Sequence, residues 1–167
     1  DHPVLLSGIC QIFAASDEFS IVAVGKTAQD AVDIANSAEP DVIVLDLSMP
    51  GCVSDAINII TGSAKQKTRL LAFTASNCID TAIATLEAGA HGYILKGSTI
   101  TELTEAIRAV RQGEVYVTPN LSAKMMERLR KASRPQSATR IKFSRREEEV
   151  LRLLLRGCTN KEIADTL

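Results

Sequence analysis

The sequence predicts an α/β protein: a doubly wound parallel sheet, followed by a linker helix and a partial all-α unit. Three observations carry that reading. Short, continuous apolar runs alternate with helix-period segments through residue 117, the pattern of strands covered on both faces by crossover helices. Charge divides along the chain: residues 1–123 hold 7 Lys/Arg and 14 Asp/Glu, whereas residues 124–167 hold 12 and 6. Between the two parts lies a polar stretch, SRPQSAT, from Ser133 to Thr139, with the composition of a flexible linker.

Each element follows from its local pattern. Leu5/Leu6, Ile9 and Ile12/Phe13 step as one face of a helix. An α/β unit normally feeds such a helix from a strand, so a strand upstream of Asp1 is expected. Four runs then read as strands: Ile21–Val24, Val42–Leu45, Leu70–Phe73 and Gly92–Leu95. Between them Ala28, Val32, Ala35 and Ala38 step by three and four, as do Ile83, Leu86 and Ala90. Ile100, Leu103, Ile107 and Val110 repeat the pattern most cleanly, and Gly113 stops that helix. After Pro119, Leu121, Met125 and Leu129 form a narrow apolar stripe on a basic helix.

A second unit begins at Phe143. Ser144 to Glu147 and Thr159 to Glu162 both have the form of a capping box, in which side chains at the cap and third positions satisfy each other's amides. Val150, Leu151, Leu154 and Leu155 supply an apolar face, and Gly157 suits a helix end. Two short capped helices joined at a glycine make an αα-hairpin. The expected boundaries are 1–118, 119–142 and 143–167.

Composition narrows the function classes. With 46% apolar and 23% charged residues, collagen-like and bulk-disordered chains are excluded. No apolar run reaches the roughly 18 residues of a membrane-spanning helix. The opening Asp1-His2-Pro3 lacks the basic stretch of a signal peptide, and a cytoplasmic location is expected. Cysteines at 10, 52, 78 and 158 form no Cys-x-x-Cys; reduced and mostly buried thiols are expected rather than a zinc site.

In open parallel sheets the working groups lie at the carboxyl ends of the strands. The second to fourth runs in the sheet end at Asp46, Thr74 and Lys96, and the strand expected upstream would end at Asp1. Two carboxylates, a hydroxyl and an ammonium on one rim have a coherent use. A carboxylate attacks phosphorus, Mg²⁺ takes oxygen ligands, and cationic or hydroxyl groups compensate the charge of a moving phosphoryl group. Asp1 and Asp46 would hold the metal, and Lys96 and Thr74 would contact phosphoryl oxygens.

These residues resemble a known family. Asp1-His2-Pro3, Asp46-Leu47-Ser48-Met49-Pro50-Gly51, Thr74-Ala75 and Tyr93-Ile94-Leu95-Lys96 are similar to the flavodoxin-like receiver domain of bacterial two-component response regulators, in particular the NarL/FixJ branch. Phe143 to Glu147, Val150-Leu151, Gly157 and Asn160-Lys161-Glu162-Ile163-Ala164 resemble the start of that branch's LuxR-type helix-turn-helix. The resemblance implies that Asp46 is the phosphoacceptor. It implies a Mg²⁺ site, or one for another divalent cation, on Asp1, Asp46 and the Ser48 carbonyl. Thr74 and Lys96 would contact the phosphoryl group, and Tyr93 would reorient with Thr74 on activation.

Three departures stand out. The first strand and its acid are not in this sequence. Cys52-Val53-Ser54 follows Met-Pro-Gly where the family usually has a Met-Asp-Gly-like turn. The helix-turn-helix stops at Leu167, before the recognition helix. The expected function is a response regulator, phosphorylated on Asp46 by a sensor histidine kinase. It would control transcription through DNA binding by the complete C-terminal domain and act as a homodimer when active. A receiver-type signalling adaptor without DNA binding is the alternative. Arg145, Arg146 and Lys161 are the candidate DNA-phosphate contacts; Arg145 and Arg146 could equally be solvated or meet the acidic front of the chain. Phosphohydrolases with an aspartyl nucleophile commonly carry a second Asp two residues on. Ser48 fills that place, so a non-enzymatic phosphoacceptor with at most slow self-dephosphorylation is expected.

Overall fold

The computed structural model describes residues 3–62 and 67–133. The chain divides into two compact units, Asp1–Arg128 and Leu129–Leu167, and the first holds the sheet. The elements run α1 (Pro3–Ala14), α2 (Ala28–Ala38), β1 (Val42–Asp46), α3 (Val53–Gly62), β2 (Arg69–Thr74), α4 (Ile79–Glu87), β3 (Gly92–Leu95), α5 (Ile100–Arg111), β4 (Tyr116–Val117) and α6 (Pro119–Ser133). The four strands form one parallel sheet in chain order.

Strand register sorts the core onto two faces, because side chains alternate along each strand. Leu45 lies opposite Ala72, and Ala72 opposite Tyr93. On that face Leu45 and Leu70 pack against Ala31, Ala35, Ile57 and Ile60 of α2 and α3. Ala72 and Tyr93 pack against Ala82 of α4 and Leu121 of α6. On the other face Leu71, Phe73 and Ile94 meet Phe13 of α1 and Leu103, Ala106, Ile107 and Val110 of α5. Helices therefore cover both faces, as the alternating pattern predicts. Leu70 and Leu71 are each fully buried, and burying a side chain of that size contributes roughly 1.5–3 kcal/mol.

The helices begin where the chain can satisfy their first amides. Thr27 accepts from the Asp30 amide at 3.1 Å, and Asp30 returns the contact to the amides of Thr27 and Lys26. Thr99 and Glu102 do the same for α5. These two capping boxes escaped the sequence reading, which found such boxes only in the C-terminal region. At the far end of α5, Gly113 adopts φ 87°, a left-handed turn that suits glycine. Gly92 allows β3 to approach α5: a Cβ there would lie 2.7 Å from Leu71 Cδ1 and 2.9 Å from Val110 Cγ2.

Several expectations need correction. Ile21–Val24 is not a strand; residues 19–25 have no regular structure, and Ile21, Val22 and Val24 are 41–57% exposed. A strand exists through its ladder. Here a cavity of about 580 Å³, lined by Ile21–Val24, Val42–Val44 and residues of α1, lies between this segment and the outer edge of β1. Cys52 and Cys78 are exposed rather than buried. In α4 the buried positions are Ala82 and Thr85, one step round the helix from Ile83 and Leu86. Leu129 is 56% exposed, so the buried stripe of α6 ends before it. Helix α3 and the short β4 were not named from sequence. Asp1, Cys158 and the expected unit at 143–167 lie outside the described residues.

Candidate functional site

The carboxyl ends of β1, β2 and β3 form one rim. β1 ends in Asp46 and β2 in Thr74, while Lys96 follows the last residue of β3. Parallel pairing brings these ends level: Asp46 is opposite Phe73, and Thr74 opposite Leu95. The Lys96 Nζ donates to Asp46 Oδ2 at 2.7 Å, fifty positions away in sequence. Both side chains are largely buried, at 10% and 16% exposure. The Lys96 amide donates to the Thr74 carbonyl at 2.7 Å, which anchors the lysine to the end of β2.

The turn after β1 aims the carboxylate. The Ser48 amide donates to Asp46 Oδ1 at 2.8 Å, and the Met49 amide donates to the Asp46 carbonyl at 3.3 Å. Burial pushes the Asp46 carboxyl up. The Lys96 ammonium and the Ser48 amide outweigh burial and hold it below the ordinary carboxylate value. Asp46 is therefore ionised at neutral pH, the state a nucleophile or a metal ligand requires.

Thr74 and Tyr93 are wired together through a residue the sequence reading missed. The Ser76 amide donates to Thr74 Oγ at 3.1 Å, and Tyr93 Oη donates to the Ser76 carbonyl at 2.9 Å. Thr74 is 2% exposed and Tyr93 fully buried. Burial pushes the Tyr93 hydroxyl up, so it is a donor at neutral pH. Only its place two residues beyond Thr74 singles out Ser76 in the sequence. Thr118 was missed as well: its hydroxyl accepts from the Leu95 amide at 3.1 Å, just before Lys96. Its signal is a threonine directly before a proline that opens a helix.

Of the predicted site residues, the structure thus gathers Asp46, Ser48, Thr74, Tyr93 and Lys96 at one end of the sheet. Asp1, Arg145, Arg146 and Lys161 lie outside the described residues. Among the described residues no group of three His, Cys, Asp or Glu side chains is placed to hold a metal. The Asp46 carboxylate at the end of β1 is the kind of oxygen donor that a hard cation keeping several waters takes; the Ser48 carbonyl and Asp1 would be the further ligands that the resemblance implies.

Comparison with known proteins gives the family of the chain. Residues 1–108 match the family model of the response regulator receiver domain. The chain belongs to the response regulator family. Residues 142–167 match a second model, that of bacterial regulatory proteins of the LuxR family, so the receiver precedes a LuxR-type domain as the sequence motifs imply. This response regulator is 32% identical over 169 residues to the nitrate/nitrite response regulator protein homolog of Haemophilus influenzae, covering all of this chain and 78% of that protein. It is 33% identical to the transcriptional regulatory protein DesR of Bacillus subtilis, covering all of this chain and 77% of that one. Its fold is similar to the crystal structure of a LuxR-family two-component response regulator from Aurantimonas. That match has a TM-score of 0.70 and 29% identity, over 77% of this chain and 92% of the other.

Proposed function

We propose that this response regulator accepts a phosphoryl group on Asp46 and uses it to control transcription. The observation that carries the proposal is the Lys96 ammonium 2.7 Å from an ionised, largely buried carboxylate at a strand end. An Asp46 oxygen forms the new bond to phosphorus as the bond to the donor breaks. With a sensor histidine kinase as donor, that is the bond to a histidine nitrogen, which keeps the electron pair. Lys96 then turns from the carboxylate to a phosphoryl oxygen, and Thr74 takes another by its hydroxyl. Mg²⁺, or another divalent cation, would sit on Asp46, the Ser48 carbonyl and Asp1. When bound it neutralises charge on the phosphoryl oxygens.

The match of residues 142–167 to a LuxR-family model supports a DNA-binding output over the adaptor reading. Sequence-specific contact would need the complete C-terminal domain, with Arg145, Arg146 and Lys161 on phosphates and a homodimer as the active form. A cytoplasmic site of action follows from that target. Ser48, in the place of a second acid, supports a phosphoacceptor with slow self-dephosphorylation. Incubating the chain with acetyl phosphate and Mg²⁺ and mapping the product by mass spectrometry tests the proposal. An acyl phosphate on Asp46, absent from Asp46→Ala, is expected; no modification, or label that survives the substitution, overturns it.

A further inference from the structure

His91 sits at the end of the sheet opposite the rim, directly before β3, and is half-buried. Leu71 pairs with Gly92, so His91 falls opposite Leu70. It holds that residue twice. The His91 amide donates to the Leu70 carbonyl at 2.8 Å, and the Leu70 amide donates to His91 Nδ1 at 3.2 Å. The His91 carbonyl in turn accepts from the Tyr116 amide at 3.3 Å. One residue thus ties together the starts of β2, β3 and β4. Its ring nitrogen stands where the backbone of a longer β3 would offer a carbonyl to the ladder.

That substitution makes one ladder bond titratable. A strand carbonyl accepts at any pH, whereas an imidazole accepts at Nδ1 only while that nitrogen carries no proton. Protonation would set N–H against N–H at this contact. Leu70 is fully buried, so its amide has no water to turn to, and a buried amide without an acceptor is costly. The charged groups on the elements around the ring are Lys67 before β2, Arg69 in it, Asp41 before β1, Glu87 at the end of α4, and Arg111 and Glu114 at and beyond the end of α5. Arg69 is the one whose charge acts on the ring, and it opposes the imidazolium as burial does. The Asp41 carboxylate is taken by Arg111 at 3.5 Å, and among the described residues no carboxylate pairs with His91 to favour the proton.

We propose that His91 is a proton-operated latch: neutral, it holds the starts of β2, β3 and β4 together, and protonated, it lets that end of the sheet open locally while the rim end stays paired. The folded chain binds this proton less readily than the unfolded one. The latch is therefore closed above about pH 6.5 and releases as pH falls below it, through the folded value. Two-dimensional NMR of the full chain from about pH 7.5 to about pH 5 tests it. The His91 ring nitrogens and the amides of Leu70, Tyr116, Phe73 and Ile94 are followed, with exchange protection measured on the same samples. The Leu70 and Tyr116 shifts should titrate at the His91 midpoint. Leu70 protection should fall about three- to tenfold by about pH 5.5, with Phe73 and Ile94, nearer the rim, changing less than about twofold. His91→Asn offers a side-chain carbonyl that does not titrate; it should keep Leu70 protected and remove the pH dependence. His91→Phe, without an acceptor, should leave Leu70 open at every pH. A Leu70 amide that ignores the His91 midpoint overturns the latch, as does a pH dependence that survives in His91→Asn. Equal loss of protection at Leu70, Phe73 and Ile94 overturns local opening. Where a variant folds poorly, the titration of the parent chain decides.

Discussion

At the scale of single residues, the chemistry rests on a carboxylate held ionised against burial. Lys96 supplies the compensating charge, so its removal has a defined consequence. In Lys96→Met the Asp46 carboxyl should titrate higher than in the parent, because burial then loses its main opponent. A carboxyl-carbon NMR titration reads this directly, and an unchanged midpoint would show that Lys96 is incidental. The same pair links folding to pH. The Asp46 carboxyl is depressed in the folded chain, so the stability it contributes is present above the unfolded carboxyl range. That contribution is lost as pH falls through the folded value. His91 acts in a higher window. Its Nδ1 accepts from the Leu70 amide at 3.2 Å, which requires an unprotonated nitrogen. Burial first, and the Arg69 charge second, hold its pKa below the ordinary 6.5. The folded chain therefore binds protons less readily than the unfolded one. Stability is full above about pH 6.5 and falls below it, through the folded value. Urea titrations across that range should show this loss in the parent and its removal in His91→Phe, measured as the slope of unfolding free energy with pH.

At the scale of elements, caps and close approaches decide where helices begin and how near they lie. Helix α5 lines one face of the sheet and starts at the Thr99–Glu102 box. Thr99→Ala should cost about 1 kcal/mol, within the roughly 0.5–2 kcal/mol span of lost N-caps. Equilibrium urea unfolding measures it, and a loss under a few tenths would mean that packing of Leu103, Ile107 and Val110 alone places the helix. The box is legible in the sequence as Thr-x-x-Glu ahead of the α5 periodicity. In α4, Ile83 and Leu86 marked a helix correctly, but Ala82 and Thr85 are the buried positions, Ala82 in the cluster that holds Tyr93. Periodicity locates an amphipathic helix better than it chooses between neighbouring faces.

At the scale of the whole molecule, the sheet is strong at β2 and weak beside β1. β2 pairs on both edges and holds fully buried Leu70, Leu71 and Ala72. Among the described residues β1 pairs on one edge, and its Val44 is 38% exposed. Native-state amide exchange should therefore be slower in β2 than in the two-residue β4, which among the described residues pairs with β3 alone. Equal protection of the two segments would contradict this ranking.

The sequence by itself determined the α/β class, three of the four strands, most helices and the identity of the rim residues. It could do so because strand-end position and helix periodicity are local properties of the chain. Whether Ile21–Val24 became a strand was not local, since a strand needs a hydrogen-bonding partner brought beside it by the rest of the fold. Nor could the chain order reveal that Lys96 meets Asp46, that Ser76 couples Thr74 to Tyr93, or that α6 is pinned to α4. Those contacts join residues far apart in sequence, and only parallel pairing and packing bring them within bonding distance.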